Sequence, residues 1–181
     1  MRLVILDRDG VINSESDAYI KSPDEWLPIP CSLDAIARLH RGGFAVVVAT
    51  NQSGVGRGLF DLAMLKTIHQ KMTAAIEAAG GRLDGVFVCP HHPDAHCECR
   101  KPKPGLFKQI AERFRVSLHG VPIIGDSLKD IEAAENVGAR PILVRTGYGE
   151  HTWRNLADKQ RVEVFADLAA AATHLLQEAR P

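Results

Sequence analysis

No stretch of the chain is apolar for long enough to cross a bilayer. Neither sign of charge is in excess, with 22 Lys+Arg against 22 Asp+Glu. That balance argues against a broad nucleic-acid or anionic-membrane surface and leaves room for a local basic patch. The first residues run straight into an acidic turn and carry no signal-peptide pattern. Internal repeats and linkers of biased composition are also missing. Cysteines spread evenly enough to staple a fold are lacking: Cys89, Cys97 and Cys99 crowd together while Cys31 stands far away. Such crowding suits a metal better than disulfides and points to a reducing cytoplasm. What remains is a globular chain, 45% apolar and 24% charged. Its length fits one domain over residues 1–181 with a full core, expected to be monomeric.

The motif on which the chain turns is Asp7-Arg8-Asp9-Gly10-Val11-Ile12-Asn13, directly after the apolar run Leu3-Val4-Ile5-Leu6. A short branched run of this kind reads as a buried parallel strand. Alternation along that strand is expected to place Asp7 and Asp9 side by side at its carboxyl end, where their repulsion calls for a cation or a shared proton. Taken alone, a D-x-D-G of this sort is more simply a polar strand end.

Four more apolar runs follow, at Phe44–Ala49, Val86–Val88, Val121–Ile124 and Pro141–Val144. Between them lie helical patterns: Ser32 as cap with Leu33, Ile36, Ala37 and Leu39; Asp61 as cap with Leu62, Leu65, Ile68, Met72 and Ile76; Leu106, Phe107, Ile110 and Phe114; Leu128, Ile131, Ala134 and Val137. A last helix is expected from about Asp167 to Glu178. Fivefold strand–helix alternation predicts an α/β fold, a three-layer, doubly wound, Rossmann-like parallel sheet. Such sheets bind ligands beyond the carboxyl ends of their strands. Every polar cluster sits there: Asp7 and Asp9, Thr50-Asn51-Gln52-Ser53, Arg100-Lys101, and Asp126. No insertion is long enough for a large cap domain; the loops 14–30, 51–60 and 89–103 are expected to shape the pocket.

Asp7, Asp9 and Asp126 form an acidic set suited to Mg2+, while the Thr50 hydroxyl and Lys101 ammonium suit phosphate oxygens. Lys101 could instead be a solvated lysine, and Lys129 a helix-surface one. Spacing does not say which carboxylate would attack phosphorus. The loop from Cys89 to Cys99 supplies three thiols, and one of His91, His92 or His96 completes the Cys3His set of a closed structural Zn2+ site. Cys31 and Trp26 are expected to pack, Trp26 having the substrate site as its alternative.

Asp7–Asn13, Thr50–Gly54, Arg100-Lys101-Pro102 and Gly125-Asp126-Ser127 together resemble the four ordered motifs of the haloacid-dehalogenase superfamily, within its histidinol-phosphatase-like branch. The resemblance runs from Leu3 to about Val144. It implies a Mg2+-dependent sugar-bisphosphate phosphatase that removes the 7-phosphate of a heptose 1,7-bisphosphate during lipopolysaccharide-precursor synthesis. Asp7 would be the nucleophile, and Asp9 the general acid/base, with its backbone carbonyl on Mg2+. Asp126 would be a metal ligand, and Thr50 and Lys101 would hold the transferring phosphoryl group. Arg100 and the loop Glu15-Ser16-Asp17-Ala18-Tyr19 would read the sugar, Lys129 could reach a second phosphate, and Asn51, Gln52 and Ser53 would contribute to substrate binding. The resemblance selects His91 as the fourth zinc ligand; Asp130 reads more simply as a residue that orients a neighbour than as a metal ligand. Histidinol phosphate is the alternative substrate for the same chemistry. A phospho-receiver module is a remote reading, since a receiver's acceptor aspartate ends a middle strand and such modules lack a cysteine loop.

Overall fold

The computed structural model describes residues 2–179. Six parallel strands form one sheet: β1 (Arg2–Leu6), β2 (Phe44–Asn51), β3 (Gly85–Cys89), β4 (Pro122–Gly125), β5 (Arg140–Val144) and β6 (Glu163–Phe165). Their order is β3-β2-β1-β4-β5-β6. The chain winds outward from β1 in one direction and then, starting at β4, in the other. The gap between the carboxyl ends of β1 and β4 is therefore the topological switch point, where such sheets open a crevice.

The continuous apolar runs are explained by burial on both faces. Val4 and Leu6 of β1 join Val46, Val48, Ile124 and Val144 under α1 (Ser32–Arg41), α3 (Leu62–Ala78) and α7 (Leu168–Glu178). Leu3 and Ile5 point the other way, with Val47, Ala49 and Ile123, under α4 (Gly105–Phe114) and α5 (Leu128–Glu135). Two further helices are short: α2 (Ser53–Gly56) and α6 (Gly149–Asn155). The sequence reading anticipated neither α6 nor the edge strand β6.

Several local expectations need correction. Ser32 lies inside α1 rather than capping it; its hydroxyl donates to the Ile12 carbonyl at 2.7 Å, tying α1 to the turn after β1. The cap position belongs to Cys31, which is exposed, not packed, and holds a left-handed backbone. Leu62 and Leu128, counted into apolar stripes, stand at the first turns of their helices and are exposed. Asp61 does cap α3, accepting from the Met64 amide at 2.7 Å. Trp26 is 1% exposed and belongs to the core.

The outer edge of the sheet is braced electrostatically. Arg140 of β5 donates through Nη2 to Glu163 of β6 at 2.6 Å and through Nη1 to Glu178 of α7 at 2.7 Å. These bonds hold both glutamates below the ordinary value of 4.5. Carboxylates depressed on folding stabilise the fold above their unfolded pKa, and that contribution is lost as pH falls through the folded one. The three side chains are part-exposed, so the gain is modest, of order 1 kcal/mol per pair at most. Arg140→Ala is expected to lower the melting temperature at pH 7 by a few degrees. Scans below pH 4 should show the two proteins converging, and an equal deficit at both pH values would refute the brace.

Candidate active site

The crevice at the switch point is lined by Asp7 and Asp9 after β1, Thr50 to Ser53 after β2, Arg100 and Lys101 before α4, and Asp126, Ser127, Lys129 and Asp130 after β4. Glu15, Ser16, Asp17 and Tyr19 close it from the long loop, and Tyr148 from the segment after β5. Its volume is about 270 Å3. Of the expected substrate loop only Ala18 falls outside, because its side chain points to solvent.

Lys101 is the cation at the centre. It is 3% exposed, and its Nζ lies 3.0 Å from Asp7 Oδ2 and 2.6 Å from Asp130 Oδ1, and donates to the Ala49 carbonyl at 2.9 Å. Burial alone would drive its proton off, but Asp130 and Asp7 outweigh burial and hold its pKa above the ordinary lysine value. Asp130 is likewise pushed up by burial and pulled further down by Lys101 and the Ser127 donors, so it stays ionised. Its second oxygen accepts from Ser127 Oγ at 2.6 Å and from the Ser127 amide at 3.1 Å, forming the capping box of α5. Asp130 thus ties Lys101 to the start of α5.

Asp7 Oδ1 accepts from the Arg8 amide at 2.7 Å. Burial raises the Asp7 pKa to about 7, with Lys101 opposing and Asp130 and Asp9 adding to the rise. Asp126 is raised to about 8, again first by burial and then by Asp130 and Asp7. Oxygens of Asp7, Asp126 and Asp130 lie within 4.8 Å of one another. Both Asp130 oxygens are engaged by Lys101 and Ser127, so the oxygens left to face a cation are those of Asp7 and Asp126, two carboxylates whose repulsion a small divalent cation would relieve. Room for Asp126 depends on Gly10: a Cβ there would come within 2.0 Å of Asp126 Oδ2.

Asp9 departs from the expected side-by-side pair. Its carboxylate is turned to a buried set of donors: Arg8 Nε at 3.0 Å, Arg8 Nη2 at 3.0 Å, Asn13 Nδ2 at 2.8 Å and Gln52 Nε2 at 2.8 Å. The chain bends away from extended geometry after Asp7, so strand alternation no longer governs it. Asp130 takes the third place in the acidic cluster that the sequence reading assigned to Asp9's carboxylate. Arg8 is fully buried and its Nη1 faces His69 Nε2 at 3.2 Å. Burial, aided by Arg8, lowers the His69 pKa to about 4, so the ring is neutral and accepts from Arg8. Arg8 and His69 were not singled out from the sequence; a buried arginine inside a D-x-D is the signal that could have found them.

Asn51 and Gln52 line the crevice, but their amides are already engaged. Asn51 exchanges two 3.1 Å hydrogen bonds with the Lys101 backbone. Gln52 also donates to Thr50 Oγ1 at 2.9 Å and accepts from Arg8 at 3.1 Å. Their amides hold the Lys101 backbone, Thr50 and Asp9 in place at the edge of the crevice.

Below this crevice the four expected ligand side chains meet. Cys99 Sγ is 3.0 Å from Cys89 Sγ and 3.2 Å from His91 Nδ1, and Cys97 Sγ is 3.5 Å from Cys89 Sγ. No disulfide joins them. His92 instead accepts from the Asp94 amide. Cys89, His91, Cys97 and Cys99 thus form a group whose ligand atoms all lie within 4.8 Å of one another and could hold a metal ion.

These features define a class. The profile described as polynucleotide kinase 3 phosphatase matches residues 3–131 and the one described as HAD-hydrolase-like matches residues 98–171. With the doubly wound sheet and the aspartates at its switch point, they make the protein a phosphatase of the HAD-like hydrolases, a phosphoric monoester hydrolase without a large cap. A Bordetella bronchiseptica protein, D-glycero-beta-D-manno-heptose-1,7-bisphosphate 7-phosphatase, is 54% identical over 99% of this chain and 100% of its own. A Pseudomonas aeruginosa protein of the same name is 50% identical over 97% and 98%. The chain belongs to this family of heptose-bisphosphate phosphatases. The crystal structure of the B. bronchiseptica D,D-heptose 1,7-bisphosphate phosphatase with magnesium and phosphate superposes with a TM-score of 0.96, covering 98% of this chain and 99% of that one. The corresponding Burkholderia thailandensis enzyme, 45% identical, gives 0.76 over 97% and 99%.

Removing the central cation would strand two buried carboxylates. Breaking a buried pair of this kind costs about 3–5 kcal/mol. Lys101→Met is expected to lose roughly that much stability in urea titrations and to abolish turnover. A variant as stable as the parent would show that Lys101 does not neutralise Asp7 and Asp130.

Proposed function

We propose that this chain removes the 7-phosphate of D-glycero-beta-D-manno-heptose 1,7-bisphosphate, acting as one domain over residues 1–181 in the cytoplasm, as a monomer. The observation that carries the chemistry is the seat of Asp7, a carboxylate at the tip of β1 clamped between the Arg8 amide and the Lys101 ammonium. The relatives' shared name supplies the substrate. The charge-neutral composition and the absence, among the described residues, of a helix long and apolar enough to cross a membrane fit a small dissolved substrate rather than nucleic acid or lipid.

In this reading an Asp7 oxygen attacks phosphorus at the 7-position, and the bond to the sugar oxygen breaks. Asp9 delivers a proton to that leaving oxygen, then takes one from the water that attacks the aspartyl-phosphate. Inorganic phosphate leaves and Asp7 is regenerated. Lys101 and the Thr50 hydroxyl face the phosphoryl oxygens. Four donors surround Asp9, so carrying a proton requires it to release one of them; the neutral amides of Gln52 and Asn13 are cheaper to give up than the Arg8 guanidinium. Asp7, Asp126 and the Asp9 carbonyl would hold Mg2+, which when bound supplies charge neutralisation as the phosphoryl group transfers. Cys89, His91, Cys97 and Cys99 would hold Zn2+ in a folding role, since four protein ligands leave no open position.

Phosphate release from the heptose bisphosphate and from histidinol phosphate tests the substrate. A clear preference for the bisphosphate is expected, and the opposite preference would move the chain to the alternative. Asp7→Asn should lose at least about a thousandfold in kcat, since the variant has no attacking carboxylate; parental activity would overturn the mechanism. Zinc released after thiol modification should approach one ion per chain, and a metal-free protein of unchanged melting temperature would remove the zinc assignment.

A further inference from the structure

Helix α3 buries one stripe of side chains, Leu65, Ile68, Met72 and Ile76. His69 stands on the flank of that stripe, four residues after Leu65 and three before Met72. An aliphatic side chain is the ordinary occupant of such a place, and a polar ring turned inward needs a partner there. The partner is Arg8, whose Nη1 lies 3.2 Å from His69 Nε2. A guanidinium only donates, so Nε2 is the acceptor and the ring carries its proton on Nδ1.

Arg8 is fully buried and does not line the crevice. Its Nε and Nη2 grip the two Asp9 oxygens as a planar fork, each at 3.0 Å, and Nη2 also reaches Gln52 Oε1 at 3.1 Å. The fork sets the plane of the Asp9 carboxylate. Nη1 is the nitrogen that the fork leaves over, and His69 takes it. Asn13 and Gln52 donate to Asp9 itself and are the partners that give way when it carries a proton. His69 instead anchors the fork from outside the group that rearranges, on a helix that supplies nothing else to the crevice.

We propose that His69 is a positioning residue for the reaction: it fixes the Arg8 fork, and the fork keeps the Asp9 carboxylate aimed at the leaving oxygen and then at the attacking water. The inference rests on the acid/base role read for Asp9 above. Without an acceptor at the place of Nε2, a buried Nη1–H is left unpaired. That is costly enough for the guanidinium to turn toward another acceptor and carry the Asp9 plane with it. A displacement of about 1 Å at a reacting group is enough to cost on the order of a hundredfold in rate.

The test replaces His69 by two amides. In His69→Gln the side chain ends where Nε2 stood and can accept from Arg8; in His69→Asn it ends at the place of Nδ1 and falls short. With heptose 1,7-bisphosphate, kcat should fall about 10- to 100-fold in His69→Asn at a nearly unchanged KM, and should recover to within about fivefold of the parent in His69→Gln. The leaving oxygen of p-nitrophenyl phosphate departs without a proton, so kcat/KM for that ester should fall less than about threefold in His69→Asn. Equal kcat in the two variants on the bisphosphate, or an equal loss of kcat/KM on the two esters, would overturn the positioning role. If His69→Asn does not fold, His69→Gln decides alone: a kcat more than about tenfold below the parent overturns the proposal, and a smaller loss upholds it. Asp9→Asn, assayed alongside, separates the two readings. A loss of at least about a hundredfold there beside a parental His69→Asn removes His69 only, whereas an active Asp9→Asn removes the acid/base reading as well.

Discussion

One buried ammonium group holds the catalytic end of this molecule together. Lys101 is a charge withdrawn from water between two carboxylates on different strands' loops, Asp7 after β1 and Asp130 at the start of α5. Neither carboxylate could be buried ionised without it, and it could not stay protonated without them. The triad therefore links the first motif to the last across the switch point. It also fixes the Lys101 backbone, which Asn51 grips from β2. Three strand ends are locked in register by polar contacts rather than by packing alone.

The cysteine–histidine loop extends this arrangement outward. It begins at the end of β3, receives α2 on its backbone, and returns to deliver Arg100 and Lys101. Few of its residues are apolar, so a hydrophobic core cannot order it; converging thiols and an imidazole provide an alternative anchor. Its position means that whatever orders the thiols also holds the segment that carries Arg100 and Lys101 into the crevice.

Much of this was legible in the chain. The five long strands are continuous apolar runs, and their polar ends appear in order, so the sheet and the location of the site could be read directly. The thiols are close in sequence, and close in space for that reason. What escaped has a physical cause in each case. β6 has three residues and is paired on one side only, and α6 opens with Gly149-Glu150-His151, which carries no apolar stripe. The turning of Asp9 toward Arg8 depends on Gln52 and Asn13 closing around it, which no strand periodicity encodes. The hydrogen bonds that Asn51 and Gln52 make to Lys101 and Arg8 are visible only in three dimensions.

The strand that carries Asp7 lies at the middle of the sheet yet precedes the other five strands of the described residues in the chain. β2 can pair with it early, but its other edge stays bare until β4 is made, long after β1 itself. During that interval an apolar strand edge waits open, the type of surface that invites intermolecular pairing. Closure of the sheet and assembly of the aspartates around Lys101 are then a single late event of high sequence separation. A nascent chain of this protein should have no phosphatase site at all until its second half is in place.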